Sequence, residues 1–454
     1  MTSPVPDRRS QHLWFNGPFL SGIRLNSKRV IHEGYLAAQQ KVSQALNQTS
    51  PSSCWSFPSD GSRDNQMIYD ADTYQGAVWV PYYFVEWTKS EEALSEELLH
   101  LGYPNPFPIE ASVPDSRRTL PGEMHLSRMM IRFHDFAIGM ISVEAELFAQ
   151  EKMSVKEWRL LGEAAGSRLP EFCNPLINAA CTALRRVVPG TLMWQEGFQD
   201  EMDKTSLMWA HRIFVVECAE QSEFEEWTQL AHQLIPQHQP KPVENVSIHQ
   251  NICFYPSIGN SAVVYLAGME ETRKQVASLP RVIELQNAYW AGADSINQKL
   301  FRQIVRFSID KKDSIGELQE QSENILEIVE QITIYNAVMK NHITQLAPQD
   351  IVIWESLAKA WRLNQLLESI DEKLSTFQQM NERVLSRLLN RQNSRLNTMV
   401  LVFTFVSLIT VFFSIFDFTQ GGLTVPNVIR SSLVLVLIIL MVFMVRRSMQ
   451  WLNE

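Results

Sequence analysis

Cysteine is scarce in this chain and unpatterned. The five residues, Cys54, Cys173, Cys181, Cys218 and Cys253, are odd in number and widely scattered. They form no CxxC or Cys/His cluster of metal-ligand spacing, which argues against a disulfide framework or a zinc module. Reduced, buried packing residues are the expectation. No P-loop, Rossmann fingerprint, HExxH or GxSxG occurs anywhere, so the soluble part offers no enzyme signal. Basic patches are missing from it as well, and the net charge is −10; nucleic acid is therefore not an expected partner. No repeat period is visible. The polar start Met1-Thr-Ser-Pro-Val-Pro-Asp-Arg-Arg is followed by no close apolar run. The bulk of the protein is accordingly expected in the cytosol or an equivalent compartment.

Long apolar runs are lacking from the first 390 residues and concentrated in the last 60. Thr398–Phe416 is 19 residues without a charge, and Val428–Val445 is 18 residues with Arg430 alone near its start. At about 1.5 Å per residue, each helix would be roughly 27–28 Å long, enough to cross a hydrocarbon core of about 30 Å. Between them, residues 417–427 hold Gly421-Gly422 and Pro426, which break helices, so a two-span hairpin is expected. Arg383, Arg387, Arg391 and Arg395 precede the first span and Arg446-Arg447 follow the second. The positive-inside rule places both termini in the cytoplasm. The same basic band would serve as topology anchor, inner mouth or contact for anionic headgroups.

Residues 1–60 are rich in Ser, Pro, Gln and Asn, and the whole of 1–74 reads as partly ordered at best. From 75 to 279 strand and helix patterns alternate, which suggests an α/β or α+β domain, with α/β the expected class. Strand signals fall on Val78–Val85, Met130–Val143, Leu207–Val216 and Ile252–Leu266, with Pro256 and Gly259 breaking the last. Helix signals fall on 155–187, interrupted near Pro170 and Pro175, and on Glu223–Leu234. After Leu279-Pro280 the pattern becomes helical, and residues 280–397 read as a stalk. Ile315, Leu318, Ser322, Ile325, Val329, Ile332, Asn336, Met339, Ile343 and Leu346 keep a 3-4 spacing, a coiled-coil-like seam. A second stripe uses Trp354, Leu357, Trp361, Ile370, Leu374, Phe377, Val384 and Leu388. With no Gly or Pro between Ile351 and Leu396, roughly 45 residues of unbroken helix would project about 65–70 Å from the membrane.

Chemistry candidates in the soluble part are weak. His134-Asp135, with Glu144 and Glu146 nearby, is more simply a partly exposed strand face. His232 and His238 flank Pro236 without ligand spacing, and the acidic run Glu217–Glu226 reads as a solvated surface. The first span says more. Asn397, Val400, Thr404, Ser407, Val411 and Ser414 fall within an arc of about 100° at 100° per residue. Such a polar stripe serves either to pack partner helices or to line a water-filled pore.

The segment Arg391-Gln-Asn-Ser-Arg-Leu-Asn397-Thr-Met-Val-Leu-Val-Phe-Thr404-Phe-Val-Ser-Leu-Ile-Thr410 resembles the stalk-to-pore junction of the CorA-like divalent-cation transporters, in which an Asn begins the pore helix. The layout is similar too: a cytosolic α/β domain, a very long helix and two C-terminal spans. The resemblance implies a homo-oligomer, a pentamer, in the lipid bilayer, with the first span lining a pore for metal ions. It implies no cofactor beyond a transported or regulatory divalent cation. The family's Gly-Met-Asn is absent, and its position falls at Gly421-Gly422-Leu423. Asp417 and Gln420 are then the groups left to recruit a cation at the outer mouth. The alternative is a non-conducting membrane-tethered scaffold or sensor of the same fold.

Overall fold

The computed structural model describes residues 10–25, 54–56, 85–114, 118–134, 137–187, 192–194, 205–236, 245–268, 270–309, 315–344, 346 and 348–419, and the single positions 432, 436, 439 and 443. They form two compact units. One comprises Met1–Ile296 with Thr333–Glu368, the other Asn297–Ile332 with Ser369–Glu454.

The first unit is built on a ten-stranded sheet. In chain order its strands are β1 (Ser10–Leu20), β3 (Cys54–Ser56), β4 (Val85–Lys89), β5 (Phe107–Ser112), β6 (Thr119–Phe133), β7 (Ile138–Ala149), β9 (His211–Cys218), β10 (Val246–His249), β11 (Ile252–Ser257) and β12 (Asn260–Leu266). Two short strands, β2 (Ile23–Leu25) and β8 (Leu192–Trp194), pair separately. The order across the sheet is β10-β11-β12-β9-β1-β7-β6-β4-β3, with β5 also on β6. Only β9 and β12 run parallel among these pairs.

The N-terminal region corrects the sequence reading. Ser10–Leu20, expected to be partly ordered at best, is a central strand between β7 and β9. It escapes pattern recognition because Phe15–Phe19 is buried on both faces and polar Gln11 and Asn16 share the burial. Gln11, Leu13, Phe15, Asn16 and Phe19 are all buried. Gln11 Nε2 donates to Val215 O at 2.8 Å, and Asn16 Nδ2 to Pro280 O at 3.0 Å, which offsets part of the cost of hiding two amides. Gly17 permits a close approach: a Cβ there would lie 2.4 Å from Leu207 Cδ1 and 2.4 Å from Trp209 O, so only glycine admits that backbone.

One face of the sheet is covered by α1 (Glu91–His100), α2 (Val155–Val187) and α3 (Gln221–Leu230), the last followed by the 3₁₀ turn Ala231–Leu234. Leu94, Trp158, Leu161, Phe172, Ile177 and Trp227 supply much of that core. Helix α2 continues through Pro170 and Pro175, where interruptions were expected; buried Leu169, Phe172, Cys173 and Leu176 hold the turns around both prolines, so packing overrides propensity.

The opposite face receives α4 (Glu270–Ile309), whose Ala288 and Ala291 pack on Ile138 and Met140. This helix also runs through Pro280, so the boundary expected at 279–280 lies inside an element. The chain continues as α5 (Ile315–Thr344), α6 (Pro348–Ala360) and α7 (Leu363–Thr419). The helix expected to run unbroken from Ile351 is divided at Trp361-Arg362, where Arg362 takes φ 55°. On α5, Ser322, Ile325, Ile332 and Met339 of the expected seam are buried, with Ile328 and Tyr335 replacing Val329 and Asn336, which are half-buried. Burial there keeps a seven-residue repeat, through Ile325, Ile332 and Met339 and through Ile328 and Tyr335, with the second line of the seam shifted by one residue. In the second unit, Ile370, Phe377 and Val384 on α7 are buried at seven-residue intervals. Ser322 Oγ donates to Asn381 Oδ1 at 3.2 Å, and Lys373 Nζ to Asn297 Oδ1 at 2.5 Å.

Candidate functional site

Helix α7 is 57 residues long. Among the described residues, its Leu363–Phe413 portion contains the one stretch long and apolar enough to cross a membrane, and none of that apolar stretch is buried. Asn397, Val400, Thr404, Ser407 and Val411 are all exposed. Ser414 and Asp417 belong to the helix by backbone, while Gln420 lies outside the described residues. Asp417 was expected in the loop 417–427; it lies instead on the helix, two residues before Thr419. On the phenylalanine side Phe403 is 72%, Phe412 60% and Phe405 37% exposed, while Phe413 and Phe416 are half-buried. Apart from half-buried Thr398, Val402, Ile409 and Phe413, the apolar stretch is exposed among the described residues.

Its threonines are satisfied internally. The hydroxyls of Thr398, Thr404 and Thr410 donate to the carbonyls of Ser394, Val400 and Val406 at 2.9, 2.7 and 2.9 Å. A hydroxyl committed this way keeps its lone pairs facing outward and offers only acceptors. That suits a cation or its hydration water as well as a neighbouring helix. Arg383, Arg387 and Arg391 are exposed and Arg395 is half-buried, one per turn on the helix just before the apolar stretch. Of the second expected span, Ser432, Val436, Ile439 and Phe443 are described; all four are helical and exposed.

The sheet domain contains a charge cluster that sequence reading did not anticipate. Arg132 on β6 donates from Nε to Glu86 Oε2 at 2.6 Å and from Nη1 to Glu284 Oε2 at 2.5 Å. Ser142 Oγ on β7 also donates to Glu284 Oε2, at 3.0 Å. Glu284, on α4, is 1% exposed, and its Oε1 has no hydrogen-bond partner among the described residues. One guanidinium thus faces two carboxylates in a buried place. Burial pushes Glu284 above the ordinary carboxylate range against the opposing pull of Arg132. Burial also acts on Glu86, but Arg132's charge and hydrogen bond, with help from Thr88 and Arg128, hold it below that range.

A second buried group surrounds the α6–α7 break. Trp361 Nε1 donates to Ser257 O at 2.8 Å, and Trp290 Nε1 donates to Trp361 O at 3.1 Å. The indole of Trp361 lies 5.0 Å from the His211 ring, whose Nε2 is 2.9 Å from Ser261 Oγ. Burial foremost, and the charge of Arg212, push His211 down to about 3, so it is neutral at physiological pH. Tryptophan at the join between two apolar helices carried no sequence signal beyond its stripe position.

The weaker sequence candidates are dispersed. His134 is fully buried, Asp135 lies outside the described residues, and Glu144 faces Arg128 at 3.7 Å. His232 is half-buried and His238 lies outside. In the acidic run, Glu217 pairs with Arg273 at 3.4 Å and Glu223 accepts from Ala219 N at 2.9 Å. No group of three His, Cys, Asp or Glu able to hold a metal occurs among the described residues.

No family model, curated protein or solved structure matches this chain. The molecule is an α/β sheet domain followed by long C-terminal helices, one of them long and apolar enough to cross a membrane.

Proposed function

We propose that this chain is a CorA-like membrane protein that conducts cations, divalent metal ions first among them, through a homo-oligomeric pore lined by α7. The observation that carries the reading is a single helix running from the sheet domain into an apolar stretch that, among the described residues, has no buried position and carries one polar stripe. Lipid would cover the phenylalanine side. Copies of the same helix, five by the family resemblance, would cover the stripe. Asn397, Val400, Thr404, Ser407, Val411 and Ser414 would line the pore, and Val428–Val445 would return the chain to the cytoplasmic side. The outward lone pairs of Thr404 support a wall that accepts from water around a cation. Asp417 in the last turn adds its charge to the negative end of the helix dipole, which favours a cation at that mouth; Gln420 would complete the ring.

Ion flux into liposomes with Mg²⁺, Co²⁺, Zn²⁺ and monovalent ions tests the reading. Saturable uptake of at least one cation is expected, and Asp417→Ala should lower it several-fold. The absence of flux for every ion would leave the scaffold or sensor reading, which the missing Gly-Met-Asn favours. Flux unchanged by Asp417→Ala would remove that residue from the mechanism.

A further inference from the structure

Arg212, on β9, extends toward α2 and is buried to 4% exposure. Guanidinium cannot shed its charge at neutral pH, so burial demands an anion and hydrogen bonds for its five donors. Here the side chain has neither in full. Its Nε lacks a hydrogen-bond partner among the described residues, and its nearest carboxylate is Glu163 Oε1, at 3.7 Å from Nη2. Its guanidinium also lies over the face of Phe214, with the guanidinium carbon 5.3 Å from the ring centroid.

A second arginine converges on the same point. Arg159 Nε, also buried without a hydrogen-bond partner among the described residues, lies 3.6 Å from the same Glu163 oxygen. Both separations exceed the roughly 2.9 Å of a formed N–H···O bond. Two cations therefore share one carboxylate that bonds properly to neither, leaving an excess of one positive charge. Glu163 is 40% exposed at its side chain and Arg159 is 27% exposed, so the place opens to solvent on the α2 side. Its inner wall depends on Gly162: a Cβ there would stand 2.5 Å from Phe214 Cζ and 3.3 Å from Arg212 Cδ. The glycine keeps the space in which the Arg212 stem lies. Burial, ahead of the opposing pull of Glu163 and the push of Arg159, lowers Arg212 to about 10, as expected of a cation short of compensation.

We propose that Arg159 and Arg212 form a binding site for a phosphate group, with Glu163 Oε1 marking where a phosphate oxygen sits in the occupied state. Planar guanidiniums bind phosphate in bidentate fashion, and two of them match a dianion once the solvent-facing Glu163 swings away. Glu163 then acts as a built-in competitor that keeps the site loosely satisfied when empty.

The test uses the full chain in lipid nanodiscs. Thermal unfolding followed by tryptophan fluorescence is titrated with inorganic phosphate and, separately, with glycerol phosphate, at ionic strength held constant with chloride. A saturable rise in Tm is expected with at least one of them. Arg159→Gln, on the solvent-facing side, should raise the half-saturating concentration about tenfold or more, the scale of one lost charge-assisted contact. Glu163→Gln should lower it several-fold, because the internal competitor is gone. A lower half-saturation for glycerol phosphate assigns the site to an organic phosphate, and equal values assign it to free phosphate. A missing Tm rise, or one that neither variant changes, would overturn the proposal, since a purely structural Arg212 predicts no opposite effects from Arg159 and Glu163.

Discussion

Arg132 illustrates how much a single side chain can hold together. It bridges Glu86 on β4 to Glu284 on α4, so its removal strands two carboxylates in a buried place. Arg132→Met is expected to destabilise the sheet domain by about 3–5 kcal/mol, read from denaturant midpoints. The two glutamates titrate in opposite senses. Glu86 sits below its ordinary range, so its contribution is present at neutral pH and is lost as pH falls through its depressed value. Glu284 sits above its ordinary range, so its contribution is full in acid and is lost as pH rises through its raised value. Glu284→Gln mimics the protonated form and keeps an acceptor for Arg132 and Ser142. Its stability should change less between weakly acidic and neutral pH than that of the parent protein. A pH profile parallel to the parent's would show that Glu284 is ionised throughout.

The elements least legible in the sequence are those whose partners are remote. Strand β1 pairs with residues 138–148 and 211–215, and its buried amides look like surface chemistry until those partners are in place. Removing residues 1–20 should therefore abolish cooperative unfolding of the sheet domain; a truncated chain that still melts cooperatively would refute a central β1. Gly17→Ala, which drives a methyl into Trp209 O and Leu207, should cost about 1–3 kcal/mol as overpacking, measured by thermal or chemical melting. Strand β5 was missed too: Phe107–Ser112 buries every second residue, but the sequence reading placed no strand there. Nor was the α6–α7 break legible. Arg362 enters the left-handed region because Trp361 is held by Ser257, Trp290 and His211, contacts that no local pattern of good helix formers announces.

For the whole molecule, the decisive quantity is the bare surface of α7. A stretch with Val400 61%, Leu401 66% and Phe403 72% exposed is not stable in water as a monomer. The purified protein is expected to require detergent or lipid and to run as a multiple of the single-chain mass in a sizing measurement. A stable monomer would argue strongly against a pore, because six stripe positions on one helix cannot enclose a channel. In that event α7 would serve as an anchor, and the polar stripe would pack against Val428–Val445.

The sequence alone determined the features that depend on runs and spacing: an apolar stretch of membrane length, the arginine band before it, the polar stripe within it and the alternation of strand and helix upstream. These are local properties, because hydrocarbon thickness and helix period act on consecutive residues. Only the tertiary structure decided which strand lies beside which, that β1 belongs at the middle of the sheet, and that Arg132, Glu86 and Glu284 meet. It also decided that Arg159 and Arg212 converge on Glu163. Residues 46 and 152 positions apart along the chain meet at Arg132, and burial gives charges an energetic weight that composition cannot carry.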